Sequence, residues 1–314
     1  MASSSVSSRL LGQIPLITLL ALCAATALMT DRFLSPVNLN NILVQSSIMA
    51  VIAIGMTFVI IGGGFDLSVG STAALAGCVS AMVMLEAGIG AGGVAGVLVG
   101  ALVGLVNGLV IAYLRVNPFI TTLGTMVLVR GVVFLITGGA PVEGDDGLPS
   151  AFVGFGSARI LGLHALVWVP IVLLAVLSWV MHATPFGRHI YATGGGREAA
   201  YLSGVPVARI TASTYVICGA LAGVAGVMLA ARLQSGQPTA GEFYELTEIA
   251  AVVLGGAALH GGEGTLYKSV IGVFIMIVLG NSLNLLNVDS YWQRVAIGVV
   301  IIAAAAADSL RSRR

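Results

Sequence analysis

The chain has 314 residues, 58% of them hydrophobic and only 9% charged, with a formal net charge of +1 and a mean hydropathy of +1.04. A soluble domain carries about 25% charged residues, so this chain cannot clothe a globular surface, and its balanced charge is no signature of a nucleic-acid partner. Its apolar runs are continuous over about 20 residues rather than alternating over about 10, which excludes a membrane β-barrel and reads as a polytopic all-α membrane protein.

In chain order, the N-terminal MASSSVSSRL precedes an apolar run at 10–30. That run exceeds the about 7–15 residue core of a cleaved signal, so it reads as a retained first span. The Asn-rich stretch 33–45 predicts an interfacial helix. Further spans are predicted at 46–61, 71–85, 94–114, 119–136, 161–181, 210–231, 249–259, 266–286 and 291–307. The span at 249–259 is too short to cross about 30 Å as a straight helix. Ten spans put both termini on one side. With the termini cytoplasmic, Arg9, Arg115, Arg188, Arg197, Arg209, Lys268 and the tail Arg311, Arg313 and Arg314 all lie inside. Arg32, Arg159, Arg232 and the acids Glu143, Asp145 and Asp146 then lie outside, as the positive-inside rule requires. The 42 glycines predict a closely packed bundle, because small residues let helix backbones approach.

Five constellations carry functional information. Gly62–Gly70 (GGGFDLSVG) interrupts an apolar run with three glycines and Asp66. Irregular backbone at membrane depth is tolerated only where it is buried in protein or lines a cavity. Asp66 has three readings: a cap for the following span, a cavity-lining acid, or a proton-coupling group. Arg130 lies well inside the fifth span; it either snorkels outward, pairs with a buried acid such as Asp66, or faces a path. In the same constellation as Arg130, Asn107 reads as an interhelical hydrogen-bonding residue or a solute contact. Residues 234–248 (QSGQPTAGEFYELTE) read as an outward polar loop, a gate or docking surface against a plain solvated connection. Gly255-Gly256 and Gly261-Gly262-Glu263-Gly264 form a second glycine break.

The fifth constellation is the longest polar interval, 184–209, which carries three arginines and one acid, Glu198. Here Thr193 or a following glycine caps a predicted short helix at 197–202, and Gly204-Val205-Pro206 ends it. A short polar helix across one face has no hydrophobic reason to stand alone, so it predicts a docking element for a cytoplasmic partner. Lys268 follows Tyr267 and completes no P-loop, so hydrolysis-driven work needs another subunit. Cys23, Cys78 and Cys218 lie in apolar runs as packing residues, and the four histidines show no ligand spacing; no metal, cofactor or catalytic constellation is predicted.

Together these segments resemble the permease subunit of ribose-type sugar importers of the ATP-binding-cassette class. The resemblance rests on GGGFDLSVG (62–70), Gly104 with Asn107, PFITTLG (118–124), Arg130-Gly131 and PFGRHIYATGGGREAAYLSGV (185–205). It continues through Gly241 with Tyr244-Glu245-Leu246, IAAVVLGGAALHGGEGT (249–265) and Tyr291-Trp292-Gln293. It implies the type II importer architecture, a single ten-span permease domain over 1–314 that pairs with an identical or paralogous permease in the bacterial inner membrane. The implied partners are cytoplasmic ATPase subunits and an extracytoplasmic sugar-binding protein, with no cofactor and no chemistry of its own. It implies ATPase coupling through Thr193, Gly194, Arg197, Glu198, Ala199, Ala200 and Gly204. The implied pathway or gate residues are Asp66, Ser68, Asn107, Phe119, Thr121, Thr122, Glu245 and Glu248. The sequence departs from that family pattern at Phe65, at Thr247-Glu248 and at Ala257-Ala258, which bears on the solute more than on the family. Alternatives are a permease for a polyol, nucleoside or branched-chain amino acid, and a proton-coupled carrier using Asp66 and Glu248.

Overall fold

The computed structural model describes residues 13–312. The predicted start of the first span at residue 10, Arg9 and the terminal Arg313 and Arg314 lie outside the described residues. The helices are α1 (Ile14–Met29), α2 (Pro36–Ile61), α3 (Val69–Ala87), α4 (Ile89–Ala112) and α5 (Pro118–Thr137), then α6 (Ser150–Ser157) and α7 (Ala165–Ala183). There follow α8 (Pro185–Gly195), α9 (Arg197–Leu202), α10 (Val207–Leu233), α11 (Tyr244–Leu254), α12 (Leu266–Leu285) and α13 (Ser290–Ser312). A two-stranded hairpin, β1 (Arg159–Ile160) with β2 (Leu163–His164), precedes α7. It turns through Leu161 and Gly162, both at positive φ as such a two-residue turn demands.

Seven of these helices, α2, α3, α4, α5, α7, α10 and α12, are long and apolar enough to cross a membrane; α1 and the α13 segment Ser290–Ala306 are shorter apolar helices. The chain is therefore a multi-pass helical membrane protein. Its centre is α2, apolar on all sides and almost wholly buried from Ser46 to Ile61, as befits a helix surrounded by others. Outer helices show the opposite pattern: on α5, Val127 is 65% and Leu135 84% exposed. Apolar side chains facing outward in this way face lipid rather than water.

What holds the bundle together is close backbone approach. Gly92, Gly96, Gly100, Gly104 and Gly108 recur at every fourth position, one stripe along α4. From Gly96 to Gly108 that stripe lies on α10: a Cβ on Gly108 would sit 2.7 Å from the Ala212 carbonyl oxygen, and one on Gly223 2.8 Å from that of Gly96, while Gly92 packs on α3 against Met84 and Ser80. On its other sides α10 receives α3, where a Cβ on Gly77 would reach 2.9 Å from the Gly226 oxygen, and α2, where one on Gly55 would meet the Cys218 Cα at 3.0 Å. Without a hydrophobic drive between helices in lipid, this van der Waals packing is the main cohesive contribution.

Four sequence expectations are corrected. The segment 33–45 is not a separate interfacial helix: Ser35 caps α2 by accepting the Asn38 N–H, and α2 runs unbroken from Pro36. Asn38, on the face taken to be interfacial, is buried, exchanging side-chain amide hydrogen bonds with Asn281 of α12 at 3.0 and 2.7 Å. The loop expected at 86–93 shrinks to Gly88, whose φ of +86° turns α3 directly into α4. The polar interval 184–209 is mostly helical, since α8 fills most of its first half. The plain solvated-connection reading of residues 234–243 does not hold. Gly236 packs on Cys78 and Gly241 on Gly70, with built Cβ atoms 2.7 and 3.0 Å from those residues' Cα atoms, so the segment runs back along α3.

Candidate functional site

Three breaks in the helical framework organise the site. The first follows α2, which closes on glycine: Gly63 N–H donates to Ile60 O and Gly64 N–H to Val59 O, with Gly63 at φ +82°. The chain then runs non-helically to Asp66, whose Oδ1 accepts both the Ser68 N–H at 2.9 Å and the Ser68 hydroxyl at 2.6 Å. Ser68 also accepts from the Asn107 amide at 3.0 Å, and Asn107 Oδ1 accepts from Thr125 at 2.7 Å. A relay of side chains, Thr125–Asn107–Ser68–Asp66, thus joins α5, α4 and the start of α3 in the interior, where a satisfied polar network specifies one arrangement. Asn107 stands five residues before α4 ends at Ala112, so α3 begins inside the bundle rather than at its face.

The second break is 234–243, which opens at Gln234 in the left-handed region and is tied to Val142 by a reciprocal pair of backbone hydrogen bonds through Gly236, each 2.8 Å. Arg130 does not pair with Asp66. Its Nη1 donates to the Pro238 and Ala240 carbonyls at 2.6 and 2.9 Å, clamping this segment onto α5. The segment delivers α11, whose first turn carries Glu245; its Oε2 lies 2.9 Å from where a Cβ on Gly70 would stand, beside the start of α3. Glu248, one turn on, is fully buried with neither carboxylate oxygen hydrogen-bonded.

The third break, 255–265, reverses through Gly256, Gly261 and Gly262, all at positive φ, and meets the first: Gly262 N–H donates to Ile61 O at 2.8 Å. Both meet the end of α8. A Cβ on Gly194 would collide with the Ile61 oxygen and lie 2.6 Å from Gly262 N; one on Gly261 would lie 2.8 Å from Gly63 Cα. Tyr191 of α8 donates its hydroxyl to Gly264 O at 2.8 Å. Burial pushes that phenol above its ordinary value, so it stays protonated as the donor. Only glycine permits three backbones so close.

From this junction the chain passes through Gly196 into α9. Gly196 is its N-cap, not Thr193, which is buried with its hydroxyl unpartnered. Glu198 sits in the first turn, where the helix dipole favours an acid. Ala200 faces inward, Gly204 ends the turn at φ +83°, and Arg197, Glu198 and Ala199 are exposed. So are two large side chains that the sequence reading did not single out, Tyr201 (71%) and Leu202 (78%). A cleft of about 950 Å³ lies between α9 with the start of α10 and the turn joining α4 to α5, lined in part by Arg115, Arg197, Glu198 and Arg209.

The residues expected along a pathway therefore divide. Asp66, Ser68 and Asn107 are in one network, with Glu245 beside the start of α3. Phe119, Thr121 and Thr122 stand apart, in the first turn of α5. Thr121 and Thr122 bond back to the carbonyls of Asn117 and Pro118, and Phe119 is 54% exposed. Thr125 and Tyr191 were missed because their importance lies in partners 18 and 73 residues away.

A model of the family described as branched-chain amino acid transport system / permease component matches residues 38–305. The ribose import permease protein RbsC of Escherichia coli (strain K12) is 42% identical over 318 residues, covering 98% of this chain and 99% of that protein. The ribose import permease protein RbsC of Bacillus subtilis (strain 168) is 44% identical, covering 95% and 92%. The L-arabinose transport system permease protein AraH of Escherichia coli (strain K12) is 38% identical, covering 95% and 90%. No solved structure matches. Likeness of this extent, spanning all three breaks and the helix beyond their junction, makes the chain a member of the branched-chain amino acid transport system / permease component family.

Proposed function

We propose that this chain is the membrane-spanning permease subunit of an ATP-binding-cassette importer for a monosaccharide of the ribose or arabinose kind. It forms one half of a translocation path and is driven by a separate cytoplasmic ATPase. The observation that carries the coupling is α9: a six-residue helix exposing Tyr201 and Leu202, joined through Gly196 to a junction where α8 touches both the first and third breaks. Exposed aromatic and aliphatic groups flanked by Arg197 and Glu198 suit a protein groove. A push on α9 is passed to Ile61, Gly63 and Gly262 through backbone contact with no compliant side chain between. The names of the ribose and L-arabinose relatives support the solute class.

In this reading the chain is one permease domain in the bacterial inner membrane, with both termini cytoplasmic. Its ten crossings count 234–243 together with α11 as one discontinuous span, of the kind that places helix ends at membrane depth. Phe119, Thr121 and Thr122 stand at the cytoplasmic mouth, while Asp66, Ser68, Asn107, Glu245 and Glu248 belong to the interior gate. A second permease copy and an extracytoplasmic sugar-binding protein complete the assembly. The family description favours one alternative, a branched-chain amino acid as solute.

Proteoliposomes containing this chain, its ATPase and its binding protein test the proposal. ATP-dependent accumulation of labelled D-ribose or L-arabinose is expected, with none from the chain alone under a proton gradient. Uptake by the chain alone would instead identify a proton-coupled carrier, and accumulation of L-leucine in place of sugar would reassign the solute.

A further inference from the structure

A second concavity lies away from the junction, between α2, α11, α12 and α13, with a volume of about 580 Å³. That is within the range of about 300–1,000 Å³ for small-molecule sites. Its lining is apolar in the main, with amides from three separate helices, Gln45 of α2, Asn284 of α12 and Gln293 of α13, and one carboxylate, Glu242, just before α11. The Gln293 Nε2 donates to Val288 O at 2.9 Å, which leaves its Oε1 as an acceptor. Gln45 and Asn284 are exposed, and among the described residues no hydrogen bond within the chain takes up their side-chain amides. These exposed carboxamides therefore keep their donors and acceptors available to an occupant of the space.

The same space has an aromatic wall. Phe243 lines it from the turn immediately before α11 and holds φ +64°. A bulky side chain in the left-handed region is rare and persists only where its surroundings hold it. Here the Arg294 guanidinium lies 5.5 Å from the ring centroid and fixes the ring through its quadrupole. Asn281, itself in the lining, exchanges amide hydrogen bonds with Asn38 and so locks α2 to α12, which carries the neighbouring amides on a rigid frame.

We propose that this pocket is a binding site for a neutral polyhydroxylated ring of monosaccharide size. The apolar C–H face of the ring would lie against Phe243 and its hydroxyl rim would meet the amides of Gln45, Asn284 and Gln293. A carboxamide both donates and accepts, and each hydroxyl both gives and takes, so the match is in kind. Two charged residues line the space: Arg294 is engaged with the Phe243 ring, and the Glu242 carboxylate is an acceptor for a hydroxyl of a neutral ring. The inference rests on the importer reading for its choice of sugar, and it places the solute in a pocket whose residues the pathway expectation did not include.

The test uses the full chain in native membranes without ATPase or binding protein, with Cys23→Ala as background; Cys78 and Cys218 are fully buried. Asn284→Cys is labelled with a membrane-impermeant maleimide in the presence of D-ribose, L-arabinose, D-allose or L-leucine. At a sugar concentration ten times its dissociation constant, labelling is expected to slow about tenfold, the factor set by simple occupancy. Tyr291→Cys, 77% exposed and outside the pocket lining, should label at an unchanged rate. Adding Phe243→Ala should abolish the protection, and Gln45→Cys is the second reporter should Asn284→Cys fold poorly. Equal rates with and without every sugar would overturn the proposal, as would protection by L-leucine alone. Labelling blocked without solute, with chains recovered as cross-linked pairs, would show instead that a second copy covers the pocket. Since neither partner protein is present, failure here leaves the importer reading to the uptake assay, which can succeed or fail separately.

Discussion

Adjacent glycines at the end of α8 should respond in opposite ways to the same added methyl group. At Gly194 a Cβ would overlap the Ile61 carbonyl oxygen and stand 2.6 Å from Gly262 N, on top of the 2.8 Å hydrogen bond that joins the first and third breaks. At Gly195 the nearest atom, Gly262 Cα, is 4.0 Å away, an ordinary contact. Gly194→Ala must therefore push the breaks apart. It loses a hydrogen bond of about 1 kcal/mol and adds an overpacking cost of about 1–3 kcal/mol, a total of about 2–4 kcal/mol. Gly195→Ala should change stability by well under about 1 kcal/mol, with a slight gain from helix propensity. Thermal unfolding in detergent, followed by thiol labelling of the fully buried Cys218, reads the stability difference. ATP-driven sugar uptake in the assembled complex, normalised to ATP hydrolysed, reads coupling. Gly194→Ala should unfold at lower temperature and import less per ATP, while Gly195→Ala matches wild type in both. Equal behaviour of the two variants would refute the idea that this junction is a rigid contact between the docking helix and the breaks.

Three further outcomes are expected. Asn107→Leu should destabilise the chain by about 2 kcal/mol, since it breaks the bonds to Ser68 and Thr125, and a double-mutant cycle with Ser68→Ala should show coupling of about 1 kcal/mol; additive effects would dissolve the relay. Leu202→Asp or Glu198→Arg should leave the protein inserted but remove co-purification of the ATPase, and normal pull-down by both would end the assignment of α9 as the docking helix. Arg130→Gln should loosen 236–241 from α5, seen as faster proteolysis there with unchanged membrane insertion, because two charge-assisted bonds to carbonyls, worth about 1.5–3 kcal/mol each, weaken; an unchanged cleavage rate would speak against the clamp.

Sequence alone determined the membrane class, most helix positions and the family. Those follow from continuous apolar length, from glycine and proline punctuation, and from motifs whose order is specific even where each is weak. The α9 helix was legible too, bounded by Gly196 and Gly204. The α4 stripe was also present as a four-residue glycine period, although only the neighbours opposite, α3 at Gly92 and Gly96 and α10 from Gly96 to Gly108, explain why its glycines have no room for a side chain. Tertiary structure decided the rest. Being polar, the segment 234–243 reads as a gate or docking surface or as a plain solvated connection, and Gly241 on Gly70 and the Arg130 clamp draw it into the bundle. Arg130 had three readings, snorkelling outward, pairing with an acid such as Asp66 or facing a path, but two carbonyls that no sequence pattern marks as acceptors claim it. Gly63, Gly194 and Gly262 lie far apart along the chain and meet at one point. Composition and periodicity report what a segment buries; which backbone it meets depends on how α2, α8 and the third break fold against one another.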